Sequence, residues 1–329
     1  MGSIMGITIT NSRIKTYQRC KRQSHYKDRK NLALNRPELP LKRGSWIHEL
    51  LHEQSTTGLW LPKHKGLTRE FMKMFPEERE MYGDLPGDCA RIMSSYVLTY
   101  KKEDANSNVL FAEQEFTAKL PHGHTLLFKP DKVTEDEWGI WLWEHKTHKN
   151  FPRADYRFLD VQTARYVWGL RQNGIDCTGV LWDYIRTKPP TVPTLTKTGK
   201  VARVARMDTD LYTFVTGLKR LGVDPRDYRD KITALRQNNT FFRRERVPRP
   251  DRVVATLVKE AVVVADEIER GFVATRSIDR SCEYMCSFRD LCISDLYGGN
   301  TKLIIKQKYH VRKEGEYYGD RDEAIEDAS

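Results

Sequence analysis

The chain has 329 residues, with 56 Lys and Arg against 45 Asp and Glu, for a formal charge of +11. Hydrophobic residues at 39%, including 10% aromatics, exclude a disordered basic tail, and no apolar run approaches the length of a membrane span. The cationic surplus favours a polyanionic partner, because basic groups displace the counterions condensed on phosphates. Met1 to Asn11 lacks a basic segment followed by an apolar stretch, so no signal peptide is expected. The six cysteines accordingly read as thiols or as metal and cluster ligands, not as a disulfide framework.

In chain order, Ser12 reads as the cap of a short helix in the segment that carries Tyr17, Cys20 and Tyr26. A second helix is predicted from about Arg43 to Gln54, with Trp46, Ile47, Leu50 and Leu51 as its buried stripe. Residues 68–82 and 87–102 also read as helical. Strands follow at Asn108–Leu120, Thr125–Val133 and Trp138–Lys146, separated by turn signals at Pro121-His122-Gly123 and Glu135-Asp136. A helix is predicted over Tyr156–Gln172, a strand over Thr178–Arg186, a proline-rich loop over Lys188–Lys200 and a strand over Val201–Met207. Helices at about 209–220, 225–237 and 251–270 complete the pattern, and Gly319–Ser329 is acidic, polar and expected to be disordered. The layout is α/β around a mixed sheet. It divides into an N-terminal helical region (1–107), a sheet core (108–207), a C-terminal helical region (208–318) and an acidic tail (319–329).

Chemistry concentrates at Glu144-His145-Lys146-Thr147, at the end of an apolar strand. Residues i and i+2 of a strand share a face, so Glu144 and Lys146 point together while Trp143 and His145 point away. With Asp131 on the preceding strand, two carboxylates can chelate a hard divalent cation, and a lysine beside them can offset charge on a phosphoryl transition state. Taken alone, the triplet is far more often the pattern of a cross-strand salt bridge.

Its surroundings add to it. Asp131, Glu144-x-Lys146, and then Gln162 and Tyr166 one helical turn apart, resemble the nuclease motifs of the RecB-like branch of the PD-(D/E)XK superfamily. Gly44-Ser-Trp-Ile-His48 resembles that branch's Gly-to-His helix start, and Asn11–Cys20 its N-terminal Ser, Tyr/Phe and Cys segment. The resemblance implies a restriction-endonuclease-like mixed sheet core flanked by helices. It implies that His48, Asp131 and Glu144 ligate Mg²⁺ or Mn²⁺, with the backbone carbonyl of His145 as a further ligand. Lys146 is then the catalytic lysine, and Gln162 and Tyr166 line the DNA path or support it. Glu113 matches a family acidic position, but Glu115 projects to the same face of the predicted strand and competes for it. Pro130 stands near a place where the family usually has a glycine, which fits an edge or a bulge.

Cys282-x3-Cys286-x5-Cys292, together with Cys20 far upstream, supplies four thiolates, enough for a [4Fe–4S] cluster or for zinc. The set resembles the iron–sulfur clasp of AddB-type and CRISPR-associated relatives, which joins the N- and C-terminal helical segments across the core. The family spacing is usually Cys-x2-Cys, so zinc stays open as the alternative. Cys89 and Cys177 have no partners at ligand spacing and read as small apolar residues.

Two other motifs compete. His48-Glu49-Leu-Leu-His52 is a literal H-E-x-x-H, but the extended protease pattern fails, and zinc-protease chemistry leaves Asp131, Glu144, Lys146 and the cysteines unexplained. Phe241, Phe242, Arg243, Arg244 and Arg246 interleave aromatics with cations, which suits single-stranded DNA or, equally, a hydrophobic anchor with solvated arginines. No phosphate-binding Gly-x4-Gly-Lys-Ser/Thr loop is present. The expectation is therefore a free-standing exonuclease acting on single-stranded DNA or DNA ends in recombination, repair or phage DNA processing. The alternative is a catalytically silent DNA-binding scaffold subunit. A cytoplasmic setting (a host's, if phage-encoded), no membrane partner, and a recombination partner protein or homo-oligomer accompany that expectation.

Overall fold

A computed structural model describes residues 6–36, 39–153, 155–284 and 286–313. Its strands are β1 (Thr8–Ile9), β2 (Leu32–Leu34), β3 (Asn108–Ala112), β4 (Phe116–Lys119), β5 (Thr125–Phe128), β6 (Lys132–Asp136), β7 (Gly139–His148), β8 (Cys177–Arg186), β9 (Phe242–Pro248) and β10 (Tyr309–Val311). The main sheet has the order β3-β6-β7-β8-β9. All its pairs are antiparallel except β7 with β8, which are parallel. A parallel pair needs a crossover, and the helix Val161–Gln172 supplies it. Asp160 caps that helix, accepting from the Thr163 N–H at 2.8 Å.

β7 and β8 are buried almost throughout because helices cover both faces of the sheet. One core joins the sheet to the helices Val161–Gln172 and Asp251–Arg270, through Leu142, Val180, Tyr166, Val167 and Val258. Gly169 makes the fit possible: the Phe128 ring lies where its Cβ would be, 2.4 Å away. The second core lies under the helices Leu39–Thr57 and Leu85–Asp104 and contains Trp46, Ile47, Leu50 and Ile92. Cys177 is buried in the first and Cys89 in the second; burial pushes their thiols up to about 11 and about 12. Segments far apart in sequence meet where β2 pairs with β10. No described helix is long and apolar enough to cross a membrane.

Several expectations needed correction. Asn108–Leu120 and Thr125–Val133 each break into two strands that belong to different sheets. The first breaks at Glu113, which takes a left-handed φ of +51°, and the second around Pro130, which has no N–H to offer a ladder. Thr10, not Ser12, caps the first helix, which runs Asn11–Arg19. The predicted 68–82 helix is two, Leu61–Met72 and Pro76–Tyr82, because a proline is placed best in a first turn. Val201–Met207 is no strand: it holds one bridge, Leu195 to Val201, and a 3₁₀ turn at Val204–Arg206. The edge strand β9 was not expected, since its run of arginines hides the alternation. The predicted disordered tail from Gly319 lies outside the described residues.

Candidate active site

Lys132 of β6 pairs with Trp143 of β7, so Asp131, one step earlier, stands opposite Glu144 and shares its face. Lys146 Nζ lies 2.9 Å from Glu144 Oε1, and Gln162 Nε2 donates to the same oxygen at 3.5 Å from the crossover helix. Asp131 Oδ2 accepts from the backbone N–H of His145 at 2.7 Å. Asp131 Oδ1 lies 3.4 Å from Nδ1 of His48, which the buried stripe of helix Leu39–Thr57 turns toward the sheet. Glu113 reaches the same place: its N–H donates to the Asp131 carbonyl at 3.0 Å, and its carboxylate pairs with Lys129.

One ligand atom each from His48, Glu113 and Asp131 lie within 4.8 Å of one another. Glu144 lies outside that compact set, held by Lys146 and Gln162. Burial opposes the charge of both His48 and Asp131. The pair nevertheless wins: His48 and the His145 amide hold Asp131 well below the usual carboxylate range, while Asp131 and Glu113 raise His48. Two carboxylates and one imidazole within this span suit a divalent cation that prefers oxygen and tolerates nitrogen, such as Mn²⁺ or Mg²⁺.

Behind the site lies a buried ionic network. His145 Nδ1 is 2.6 Å from Asp183, which also accepts from Tyr96 Oη at 2.5 Å and Arg244 Nε at 3.3 Å. Arg244 in turn donates to Asp104 at 2.6 Å. Burial alone would raise Asp183, but Arg244 and His145 outweigh it and bring its carboxyl down to about 2. Sequence reading missed Asp183 and Tyr96. The available signal was a carboxylate inside the apolar run Val-Leu-Trp-Asp183-Tyr-Ile.

The remaining candidates separate clearly. Glu115 is exposed, and the break at Glu113 removes the strand parity that put both on one face. Tyr166 is 4% exposed against Phe128, so it offers no wall to a DNA path. Phe241 and Phe242 are 1% and 3% exposed, inside the second core, and stacking DNA bases on them is ruled out. The neighbouring arginines are engaged as well: Arg244 with Asp104 and Asp183, Arg246 with Asp136 at 2.6 Å, and Arg243 with Glu245 at 3.3 Å. In the H-E-x-x-H stretch, Glu49 pairs with Lys63 at 3.0 Å, and no compact ligand group among the described residues contains His52.

Cys20, Cys282, Cys286 and Cys292 line one cavity of about 560 Å³, together with Tyr26 and Phe288. They do not form a compact ligand set: among the described residues, no three of their sulfurs lie within 4.8 Å of one another. The other compact group, His122, His124 and Asp266, is poorly suited to a metal. The Ile7 N–H donates to His124 Nδ1 at 3.1 Å, which leaves the ring proton on Nε2, facing Asp266 at 2.9 Å.

The profile of the PD-(D/E)XK nuclease superfamily matches residues 8–293. No curated protein matches the chain. A crystal structure of SSO0001 aligns over 87% of this chain and 85% of its own, at 13% identity and a TM-score of 0.35.

Proposed function

The chain belongs to the PD-(D/E)XK nuclease superfamily, and on that premise we propose a metal-dependent deoxyribonuclease of RecB-like type. Its substrate is single-stranded DNA or DNA ends, and its activity exonucleolytic, in recombination, repair or phage DNA processing. The observation that carries this reading is the approach of His48, Glu113 and Asp131 to within 4.8 Å of one another, next to the Glu144–Lys146 pair.

His48, Glu113 and Asp131 would hold Mg²⁺ or Mn²⁺, with Glu144 and the His145 carbonyl as further ligands. The bound cation supplies charge neutralisation at the scissile phosphate and a more acidic water. Hydrolysis adds a water oxygen to phosphorus and breaks the ester P–O bond, with one proton of the water passing to the departing sugar oxygen and the other to solvent. Lys146 keeps an ammonium beside the reacting phosphate, where it offsets the negative charge that builds on the phosphoryl oxygens. Glu144 and Gln162 orient Lys146, and the His145 amide fixes the Asp131 carboxylate.

For the cysteine cavity we propose a structural [4Fe–4S] cluster on Cys20, Cys282, Cys286 and Cys292. Two observations support it: the four residues line one cavity, and the pairing of β2 with β10 joins the same two regions of the chain. Zinc is the alternative, but it fits the spacing less well. With Zn–S near 2.3 Å, tetrahedral thiolates stand only about 3.8 Å apart.

The deciding experiment is cleavage of 5′- and 3′-labelled single-stranded DNA with Mn²⁺. Mn²⁺-dependent loss of end label that Lys146→Ala abolishes supports the reading. A wild-type protein that binds DNA and leaves it intact returns the scaffold alternative.

A further inference from the structure

Residues 187–208 leave the sheet at the C-terminal end of β8, beside the end of β7 that carries Lys146. In the parallel register of β7 and β8, Lys146 is level with Tyr184 and His148 with Arg186. The Thr187 N–H then donates to the His148 carbonyl at 2.9 Å, so the segment departs just beyond the catalytic lysine.

Three contacts make it an anchored arm. The Asp208 carboxylate accepts from Arg186 at 2.8 and 3.0 Å and from Lys188 at 2.9 Å, while its carbonyl accepts from the Thr191 N–H at 2.9 Å; both ends are thereby joined. Pro193 packs on Gly217 so closely that a Cβ there would lie 2.4 Å from the proline ring. Val201 and Met207 are buried in a small core with Phe214 and Leu218. The tip is a narrow hairpin. Thr196 N–H donates to the Lys200 carbonyl at 2.7 Å, Ala202 N–H to the Thr194 carbonyl at 2.8 Å, and Gly199 supplies the φ of +77° that the turn requires.

Between its anchoring residue Asp208 and the end of β8, the charge on this arm is of one sign. No acidic residue occurs between Asp183 and Asp208. Lys197, Lys200, Arg203 and Arg206 are exposed, and none of their side chains makes an ion pair or hydrogen bond with any described residue. The arginines of β9 are the opposite case, each engaged by a carboxylate. Four cations held together without counter-charge repel one another, and a chain of phosphates relieves that repulsion.

We propose that this arm grips the sugar–phosphate backbone of a single DNA strand outside the scissile bond and leads it to Lys146. The proposal rests on the nuclease reading above. It places substrate contact on the arm rather than on the Phe241–Arg246 stretch, and it assigns binding, not bond breaking, to the four cations.

The test compares the wild type with K197Q/K200Q/R203Q/R206Q. Binding of a fluorescent 20-mer oligothymidylate is followed by anisotropy without divalent metal, across a salt series. Each lost phosphate contact lowers the log–log salt slope by about 0.7, so four contacts predict a decrease of about 2.8, with affinity down at least about tenfold. Mn²⁺-dependent hydrolysis of bis-p-nitrophenyl phosphate, too small to reach the arm, should stay within about twofold of wild type. The charge-preserving variant K197R/K200R/R203K/R206K should retain the wild-type slope. An unchanged slope in the glutamine variant overturns the proposal. So does an equal loss on the small diester, or a slope change confined to duplex DNA. A wild type that cuts neither substrate refutes the nuclease reading instead, and the binding series still decides the arm.

Discussion

The backbone N–H of His145 donates to the Asp131 carboxylate at 2.7 Å, across the point where the β6–β7 ladder ends. The same residue is held from behind, its imidazole 2.6 Å from buried Asp183. Asp131 is therefore positioned by the main chain of β7, and β7 by an ionic network on the opposite face of the sheet. The residue between Glu144 and Lys146 joins the two.

Lys146→Ala should lower the rate of Mn²⁺-dependent DNA cleavage by about 10²-fold or more, the loss typical of removing a group that stabilises transition-state charge. Binding of oligothymidylate should change little. Cleavage at the wild-type rate would refute the assignment of Lys146.

Glu113 and Glu115 can be told apart by metal titration. Glu113→Gln should raise the Mn²⁺ concentration for half-maximal cleavage by about tenfold, because it removes one carboxylate from the compact set. Glu115→Gln should leave it unchanged, since that side chain is exposed. Equal effects would mean that the compact set does not hold the metal.

Asp183 links the site to stability. Its carboxyl is lowered from 3.8 to about 2, a depressed acid, so its stabilisation is present above the unfolded value and lost as pH falls through the folded one. The shift corresponds to about 2 kcal/mol at neutral pH. Asp183→Asn should cost about 3 kcal/mol or more, because it also leaves Arg244 short of a buried counter-charge. Thermal melts of both proteins should differ most at neutral pH and converge between pH 4 and pH 2, as the wild-type carboxylate protonates. A gap that stays constant over that range would contradict the ionic role.

Protein prepared without oxygen should be coloured and carry iron, and Cys20→Ser should lose both along with thermal stability. A colourless wild type with one zinc per chain that Cys282→Ser removes would establish the zinc alternative. A metal-free protein of unchanged stability in both variants would exclude a metal clasp altogether.

Legibility differed between residues for identifiable reasons. The shared face of Glu144 and Lys146 follows from strand alternation and was readable from a few consecutive residues; the helix Asp251–Arg270 was readable in the same way, with both ends as predicted. For Gln162 the motif offered a place along the DNA path or in support of Lys146; its contact with Glu144 is set by the packing of the crossover helix on the sheet. The run Phe241–Arg246 misled because a basic, aromatic composition is the same for a DNA-binding surface and for a sheet edge whose arginines turn to neighbouring acids.

The sequence alone therefore determined the local geometry of β7 and the identity of the chemical groups near it. Only the tertiary structure decided which partner each group meets. Glu113 rather than Glu115 reaches Asp131 because a left-handed residue breaks the strand, and Asp183 meets His145 because the parallel register of β7 and β8 sets them side by side. Alternation along a strand is a property of neighbouring residues. Register and ion pairing are settled between segments distant in sequence, by burial that leaves a charge no other partner.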